Sequence, residues 1–313
     1  MTIKVIKPGM LSTFQDTGRH GFQHWGVPVT GVMDEDAHAL CNLLVGNPRT
    51  FSTLEMTLQG PTLHFQAKAV IALAGADLGA ELDAIPLKPG VAALVSPGST
   101  LSFGKRRQGA RSYLAVGGGF LLHPLMNSTS TYSRGGFGGL RGRALQAGDL
   151  IPICSSFANP PRLSPRSNFG LYEAAACEPI RVIAGREWKD FSAESQEHFI
   201  NNDYTLTGDS DRMGYRLDGT SLTLSSPKEL LSESVAFGTV QVPPSGKPLI
   251  LMADRQTTGG YPRIAQVASV DLPRLAQLLP GDKLRFSLIE LSAAEALLLT
   301  RARTLKAMEA FNA

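Results

Sequence analysis

The sequence predicts a mainly β protein with a few helices. Its 313 residues include 32 glycines and 20 prolines, which suits many short strands joined by turns better than a helical bundle. Short apolar stretches recur between these residues along most of the chain. A turn with glycine at its bend, followed by an apolar strand, occurs three times, at Pro97-Gly98-Ser99, Ala147-Gly148-Asp149 and Pro280-Gly281-Asp282. Such recurrence is typical of barrels and sandwiches.

The N-terminal elements follow from these patterns in order. Residues 2–6 form a predicted strand, and residues 15–34 a long loop. Asp34 stands before two acidic residues and the apolar set of a helix that ends near Gly46, so we expect it to cap this helix. Seven further strands are predicted, at residues 53–58, 63–65, 70–73, 80–82, 91–95, 100–103 and 112–116.

A segment rich in Pro, Ser and Asn divides the chain. Residues 155–178 have almost no periodic apolar residues, which is typical of a linker. We therefore predict an N-terminal β subdomain over residues 1–154, a linker over 155–178, and a C-terminal β subdomain with a terminal helix over 179–313. The elements predicted in the second half are strands at 180–184 and 204–207, and helices at 187–200, 272–279 and 292–311.

The charge balance argues against nucleic-acid binding. The charged fraction is 18%, the net charge is +3, and the charges are scattered rather than gathered in a stripe. The N-terminus lacks the apolar core of a signal peptide and no run approaches the ~20 apolar residues of a spanning helix, so we expect a soluble, cytoplasmic protein. Cys41, Cys154 and Cys177 are far apart and are predicted to be reduced packing residues.

The stretch 248–273 carries the strongest site signal. An apolar strand is predicted to be buried there, and it delivers Asp254 followed by a run of polar residues and a Gly-Gly turn. A buried carboxylate needs a partner. Strand alternation sends Arg255 to the opposite face, so Asp254 is predicted to pair with Arg263 or with an arginine from elsewhere, such as Arg212. The alternative is a polar hairpin tip whose carboxylate caps a turn.

Two further segments, both predicted to be non-helical, carry groups of polar side chains. Residues 133–143 set three arginines among glycines, where backbone N–H groups and guanidinium groups would meet an anion. The alternative there is a flexible surface turn. Residues 210–217 bring Asp211, Arg212 and Tyr215 close together, which structural ion pairing would also explain.

The signatures of several common site classes are incomplete. Gly117-Gly118-Gly119 follows a predicted strand but lacks the last glycine of a dinucleotide site, and neither a P-loop nor a nucleophile elbow is complete. His20 and His24 lie in a glycine-rich loop, so no metal site is predicted. No lysine stands in the Ala-Met-Lys-Met setting that carries biotin, so no biotin is expected on this chain.

Nine segments of the chain together resemble a known family. They are GRHGFQHWGVPVTGVMD, ALCNLLVGNP, LEMTLQGPTLHF, LAGADLGAELD, SYLAVGGGF, STSTYSRGGFGGLRGRAL, SDRMGYRLDG, LLSESVAFGTVQVPPSGKP and ADRQTTGGYPRI. They follow one another in order over roughly residues 3–290. The family that these segments resemble is the allophanate hydrolase subunit 2 or carboxyltransferase-domain family. The family includes the stand-alone C subunit of bacterial 5-oxoprolinase and the second half of the urea carboxylase carboxyltransferase domain. The resemblance implies two β-barrel subdomains similar to the cyclophilin-like fold.

The resemblance also implies one subunit of an assembly. No biotin-carrier, biotin-carboxylase or sibling-subunit sequence is fused here, so the form it resembles most is the C subunit of 5-oxoprolinase, with A-like and B-like sibling subunits as partners. Such a complex opens 5-oxo-L-proline to L-glutamate with ATP and Mg²⁺. Two alternatives stay open: a carboxyltransferase component of a biotin-dependent, urea carboxylase-type enzyme, and a regulatory partner of a sibling subunit, like family members that antagonise a kinase inhibitor.

Family position and chemistry together suggest a role for each candidate residue. Asp34 and Asp254 are expected to act in acid–base chemistry or to orient other groups. Arg212 and Arg134 are expected to contact an anion or a carboxylate. Hydrogen bonds to the substrate are expected from Tyr215, Gln241, Gln256, Thr257 and Thr258.

Overall fold

A computed structural model describes residues 1–154 and 178–310, in two compact units. Within the described residues, the first unit comprises 1–20, 30–154 and 304–310, and the second comprises 21–29 and 178–303. The segment 21–29 thus groups with the second half of the chain, and the end of the last helix groups with the first half. The predicted linker lies outside the described residues apart from Glu178, and so does Cys177.

The first unit is built mainly from antiparallel strands around one apolar core. Its strands are β1 (Thr2–Lys7), β2 (Leu11–Gln15), β3 (Thr53–Thr57), β4 (Thr62–Phe65), β5 (Ala69–Asp77), β6 (Ala80–Leu82), β7 (Ile85–Pro86), β8 (Val91–Val95), β9 (Thr100–Phe103), β10 (Gln108–Val116) and β11 (Leu150–Pro152). They form two sheets, in the orders β11-β1-β4-β9-β6-β7 and β2-β3-β10-β5-β8. Apolar residues from both sheets meet in a single buried cluster.

Strand β5 shows how this unit is layered. Ile71 and Leu73 belong to the core between the two sheets, whereas Ala72 and Ala74 face a second cluster that contains helix α1 (Glu35–Leu44). Because successive side chains of a strand point to opposite faces, both faces of this sheet are covered. The predicted cap is confirmed: the Asp34 carboxylate accepts a hydrogen bond from the Ala37 N–H at 2.9 Å.

The second unit contains a sheet that is nearly closed into a barrel. Its strands are β12 (Ile180–Ala184), β13 (Tyr204–Leu206), β14 (Gly214–Asp218), β15 (Glu233–Ser234), β16 (Thr239–Gln241), β17 (Leu249–Leu251), β18 (Thr258–Gly259), β19 (Arg263–Val267), β20 (Lys283–Leu284) and β21 (Phe286–Leu288). Eight of them form one sheet in the order β20-β13-β14-β17-β16-β19-β12-β21. The two end strands are separated in sequence by Arg285 alone, so the sheet curls back on itself. Strands β15 and β18 pair separately.

Three α-helices occur in the described second half of the chain. They are α2 (Ala193–Asn201), α3 (Leu272–Ala276) and α4 (Leu291–Ala310), the last of which runs from the second unit into residues grouped with the first. The helix predicted over residues 187–200 begins later, because Ser192 caps α2 and a separate 3-10 turn precedes it. No helix within residues 1–154 and 178–310 is long and apolar enough to cross a membrane.

The three recurring glycine turns are confirmed and one cysteine prediction is wrong. Gly98, Gly148 and Gly281 have φ values of 94°, 89° and 93°, a backbone conformation that glycine adopts without strain. Cys41 is buried, as predicted, but Cys154 is exposed. Alternation explains the error, because Cys154 directly follows a residue that faces the core and therefore points outward.

Candidate functional site

A buried ion pair joins Arg212 and Asp254 in the second unit. Arg212 Nε donates to one carboxylate oxygen and Nη2 to the other, both at 2.9 Å, and each residue is 8% exposed. This geometry is the bidentate match of a planar guanidinium to a carboxylate. Of the two partners predicted for Asp254, the structure selects Arg212.

The backbone around this pair explains why the two side chains meet. Strands β14 and β17 are antiparallel neighbours, with Gly214 opposite Leu251, so the residues before one strand lie beside those after the other. The Asp254 N–H donates to the Arg212 carbonyl at 2.7 Å, which fixes the backbone on both sides. The side chain of Asp211 accepts from the N–H groups of Met213 and Gly214 and closes a turn around Arg212.

Arg263, the other partner predicted for Asp254, belongs to a separate charged network. It donates through two nitrogens to Glu187, at 2.8 and 2.7 Å, and to Glu233 at 3.0 Å. Burial alone would raise the pKa of Glu187, but the hydrogen bonds from Arg263 hold it below its ordinary value. The network lines a cavity of about 190 Å³ whose wall consists of Arg186, Glu187, Lys228, Leu230, Leu231, Glu233, Gly259, Gly260, Tyr261 and Arg263.

Gln241 is fully buried beside this cavity and its amide is incompletely used. Its Nε2 makes a long contact of 3.4 Å to the Tyr261 carbonyl, and its Oε1 has no hydrogen-bond partner within residues 1–154 and 178–310. The side chain lies against Gly259, where a Cβ would come within 2.5 Å of Nε2. An unpaired buried acceptor costs about 1–3 kcal/mol, so a ligand N–H donor at Oε1 would be stabilising.

The remaining candidates of the second unit lie around the same loop. Gln256 and Thr258 are exposed, and Thr257 is half-buried. Strand pairing places Thr258 opposite Ser234. Tyr215 is 2% exposed and sits within strand β14. The structure therefore brings a buried guanidinium–carboxylate pair, a buried amide and accessible polar side chains onto neighbouring segments of one unit.

Sequence reasoning missed Arg255. The prediction placed it on the face of a strand opposite to Asp254, but strand β17 ends at Leu251 and a turn follows, so strand alternation does not apply there. Arg255 is 8% exposed. The sequence signal that could have found it is the charge itself beside a predicted buried strand, since an arginine that becomes buried is almost never left without a partner.

Asp34 and Arg134 belong to the first unit. Asp34 is fully buried, and its N–H donates to the hydroxyl of Tyr113, which in turn donates to Glu55 at 2.8 Å. Burial, together with the negative charges of Glu55 and Asp34, raises the pKa of Tyr113 well above its ordinary value, so this phenol stays a hydrogen-bond donor. Arg134 is exposed in the glycine-rich segment.

That glycine-rich segment is closely packed rather than an open turn. A Cβ on Gly138 or Gly142 would fall 2.0 Å from a backbone oxygen, so the chain approaches itself too closely for a side chain. The N–H groups of Gly135, Gly136 and Phe137 all point to the Tyr132 carbonyl. These three donors are used inside the segment and are therefore not available to an anion.

A second buried network that sequence reasoning missed surrounds Asp16. Its carboxylate accepts hydrogen bonds from the side chains of Ser128, Thr129 and Ser130 and from the N–H groups of Gly18 and Thr129. The nearby Arg19 is fully buried and donates to three oxygens of the same unit. Within residues 1–154 and 178–310 no group of three or more His, Cys, Asp or Glu side chains is placed to hold a metal ion.

Comparison with known proteins identifies the family. The model of the carboxyltransferase domain, subdomains A and B, matches residues 25–288. The chain belongs to the carboxyltransferase-domain family. This carboxyltransferase-domain chain is 41% identical to the C subunit of 5-oxoprolinase from Haemophilus influenzae over 93% of both chains. It is 40% identical to the C subunit of 5-oxoprolinase from Escherichia coli over 94% of its own length and 93% of that protein.

A solved structure shows the same fold in a longer protein. The carboxyltransferase-domain chain matches the crystal structure of the urea amidolyase of K. lactis with a TM-score of 0.90 and 28% identity. The match covers 98% of this chain and 20% of the amidolyase, so the chain spans about a fifth of that protein. The mainly β architecture predicted from the sequence is thus shared with a carboxyltransferase-type relative.

Proposed function

We propose that this chain is a component of an ATP-dependent 5-oxoprolinase, a complex that hydrolyses 5-oxo-L-proline to L-glutamate. The observation that carries the proposal is the end-to-end match, at 41% and 40% identity, to two proteins named as the C subunit of 5-oxoprolinase. In this proposal the partners are A-like and B-like sibling subunits, and ATP with Mg²⁺ belongs to the assembly as a whole. The proposed location of the complex is the cytoplasm.

The chemistry explains why ATP is needed to open a lactam. The lactam oxygen takes the γ-phosphoryl group of ATP, the bond from that phosphorus to the β-phosphate oxygen breaks with release of ADP, and the ring carbon becomes activated towards water. Water then adds, the ring C–N bond breaks, and the nitrogen takes up a proton, which leaves an acyl phosphate. A second water releases phosphate and gives glutamate. The phosphoryl transfer and the hydrolysis of the acyl phosphate develop negative charge on oxygen, which positioned hydrogen-bond donors stabilise.

The second unit offers groups for these tasks. Because both oxygens of Asp254 are held by Arg212, the pair presents the remaining lone pairs of a fixed carboxylate, which suits orienting a water or a ring N–H. Gln241 Oε1 has no donor within the described residues and suits the N–H of a lactam ring. Further polar contacts to the substrate are proposed from Gln256, Thr257, Thr258 and Tyr215.

The first unit contributes two residues to the proposal. Arg134 is exposed and is proposed to contact an anion. Asp34 is fully buried and caps α1, so its proposed contribution is to orient the segment around it.

A second candidate function is the carboxyltransferase component of a biotin-dependent enzyme. The family description and the TM-score of 0.90 to a urea amidolyase favour it. In that case the site would receive a carboxyl group carried by biotin on another protein. The lower identity of 28% and the small share of the amidolyase that is matched make it the weaker candidate.

The test is glutamate release from 5-oxoproline, ATP and Mg²⁺, with the chain alone and mixed with its candidate sibling subunits. We expect activity only in the mixture. Asp254→Ala and Gln256→Ala should reduce it while assembly, followed by size-exclusion chromatography, is retained. Asp209→Ala, an exposed carboxylate of the same unit, is the matched control. Stable assembly without glutamate would overturn the proposal. Biotin-dependent carboxyl transfer, or regulation of a sibling by binding alone, would then take its place.

A further inference from the structure

Arg255 lies in the loop that joins strands β17 and β18, next to the Arg212–Asp254 pair. It is 8% exposed, so its guanidinium group is largely removed from water. Arginines are almost never buried to this degree unless they are paired, because a charge that leaves water loses several kcal/mol of hydration free energy.

The hydrogen bonds of this guanidinium are few and long. Nε and Nη1 each reach a backbone carbonyl, of Val235 and Met252, at 3.4 Å. For comparison, Arg212 reaches its carboxylate at 2.9 Å. A guanidinium has five N–H donors, so residues 1–154 and 178–310 use only part of the donor capacity of Arg255. The guanidinium carbon stands 5.9 Å from the centre of the Phe237 ring, an additional weak contact.

No carboxylate of residues 1–154 and 178–310 forms an ion pair with Arg255. The adjacent Asp254 is the nearest anion in sequence, but both of its oxygens accept hydrogen bonds from Arg212. Burial lowers the pKa of Arg255 to about 10, and the charge of Asp254 offsets this only in part. At neutral pH the group is still a cation, and it is a cation in an environment that disfavours charge.

Such a cation favours the binding of an anion, and its surroundings determine which class of anion fits best. A single desolvated guanidinium neutralises one negative charge and matches the two oxygens of a carboxylate. A phosphate group at neutral pH carries up to two charges and would need a further cation or Mg²⁺. The apolar ring of Phe237 beside the guanidinium also favours a small organic anion over a strongly hydrated inorganic one.

We propose that Arg255 binds a carboxylate group of the ligand that occupies the candidate site around the Arg212–Asp254 pair. The inference rests on the proposed function for the source of that carboxylate, which is the one attached to the ring of 5-oxo-L-proline. In the carboxyltransferase alternative the same contact would hold the carboxyl group that is being transferred. The shared chemistry is a monovalent carboxylate at a buried guanidinium.

Calorimetric binding to the full chain, alone and assembled with its siblings, tests the inference without requiring turnover. Three probes separate the sources: 5-oxo-L-proline, the ring without a carboxylate (2-pyrrolidinone), and malonamate, a stable isostere of an N-carboxylated amide. We expect Arg255→Met to weaken binding of a carboxylate probe by about 10- to 100-fold and to leave 2-pyrrolidinone binding unchanged. The affinity of Arg255→Lys for a carboxylate probe should fall between those of the wild type and Arg255→Met, because lysine keeps the charge but lacks the planar guanidinium group.

A matched control and a folding check accompany the variants. Arg285→Met removes an exposed arginine of the same unit that pairs with Asp203, and it should leave all three affinities unchanged. The melting temperature of Arg255→Met should equal or exceed that of the wild type, since the change removes a buried charge that has no ion-pair partner in the described part of the chain. Where Arg255→Met does not fold, Arg255→Gln provides the same comparison with a polar side chain.

The outcomes separate this inference from the proposed function. Loss of 5-oxoproline binding in Arg255→Met supports both. Loss of malonamate binding alone, with no glutamate formed by the complex, supports the carboxylate site and overturns the 5-oxoprolinase assignment. Unchanged affinity of the folded variant for both carboxylates overturns the role of Arg255, whatever the glutamate assay shows.

Discussion

Gly259 lies directly against the side-chain amide of Gln241, so closely that a Cβ on residue 259 would fall 2.5 Å from Nε2. Gly259→Ala is therefore expected to turn or displace the amide. Because the clash is with the end of a side chain, the free energy of unfolding should fall by only about 1 kcal/mol. If Gln241 binds the lactam, the KM for 5-oxoproline should rise several-fold with a smaller change in kcat.

Gly208→Ala is the control for this prediction, because a Cβ at that position meets no atom within 4 Å. Steady-state kinetics and thermal melts of the two variants give the comparison. An unchanged KM in Gly259→Ala, with Gly208→Ala also unchanged, would show that the Gln241 amide does not bind the substrate.

Asp254→Asn is expected to be strongly destabilising. The change removes a charge and turns one acceptor of the Arg212 guanidinium into a donor, inside a pair whose side chains are 9% and 11% exposed. Loss of two charge-assisted hydrogen bonds should lower the free energy of unfolding by about 3 kcal/mol, measured by urea denaturation.

The matched control is Asp218→Asn, at an exposed ion pair with Lys247. Its unfolding free energy should stay close to the wild-type value, since exposed pairs contribute little. If the two substitutions lower the free energy of unfolding equally, the buried pair does not contribute more to stability than the exposed pair.

The network around Asp16 should make the free energy of unfolding depend on pH in the acidic range. Burial would raise the pKa of Asp16, but hydrogen bonds from Ser130, Thr129, Ser128 and Gly18 hold it below 3.8. Its stabilising contribution is therefore complete above pH 3.8 and is lost as the pH falls through the lowered folded-state pKa. Ser130→Ala should lower the free energy of unfolding at pH 7 by about 1–3 kcal/mol, and should reduce the further loss on acidification.

Chemical denaturation at pH 7 and at successively lower pH checks this prediction. Ser226→Ala, an exposed serine of the second unit, is the control and should follow the wild-type curve. If the free energy of unfolding of Ser130→Ala falls with pH in parallel with that of the wild type below pH 3.8, then Asp16 is not the group that causes the loss of stability in acid.

Gly142 and Gly136 allow backbone strain to be separated from close packing. Their φ values are 68° and 69°, so alanine is strained to a similar degree at both. A Cβ at Gly142 would lie 2.0 Å from the Gly136 carbonyl oxygen, whereas a Cβ at Gly136 meets nothing within 4 Å. Gly136→Ala should cost about 1 kcal/mol, and Gly142→Ala considerably more, as measured by thermal unfolding. Equal costs would mean that the segment relaxes freely.

Much of the fold could be predicted from sequence because glycine and proline bound its strands. The strands at 80–82, 91–95, 100–103 and 180–184 have the predicted limits. Strand β2 was missed, since it merges into a long loop without a breaker. The short strands β15 and β18, of two residues each, carry no periodic signal at all.

The site was less predictable, for reasons that are specific to tertiary structure. The need of Asp254 for a cationic partner follows from burial, but the selection of Arg212 over Arg263 depends on the β14–β17 pairing. The fate of Arg263 is decided by Glu187 and Glu233, far from it in sequence. The roles proposed for Asp34, Arg134 and the polar residues after Asp254 stay predictions until the variants are measured.

The near closure of the second-unit sheet affects how this unit can fold while the chain is being synthesised. Strand β12 is the first strand of that unit to leave the ribosome, yet its neighbours in the sheet are β19 and β21, two of the last. Both edges of β12 thus remain unpaired while residues 185–262 are synthesised, and unpaired edges invite association with other chains. Such long-range closure also slows folding. Production of this protein should therefore benefit from chaperones that bind exposed strands.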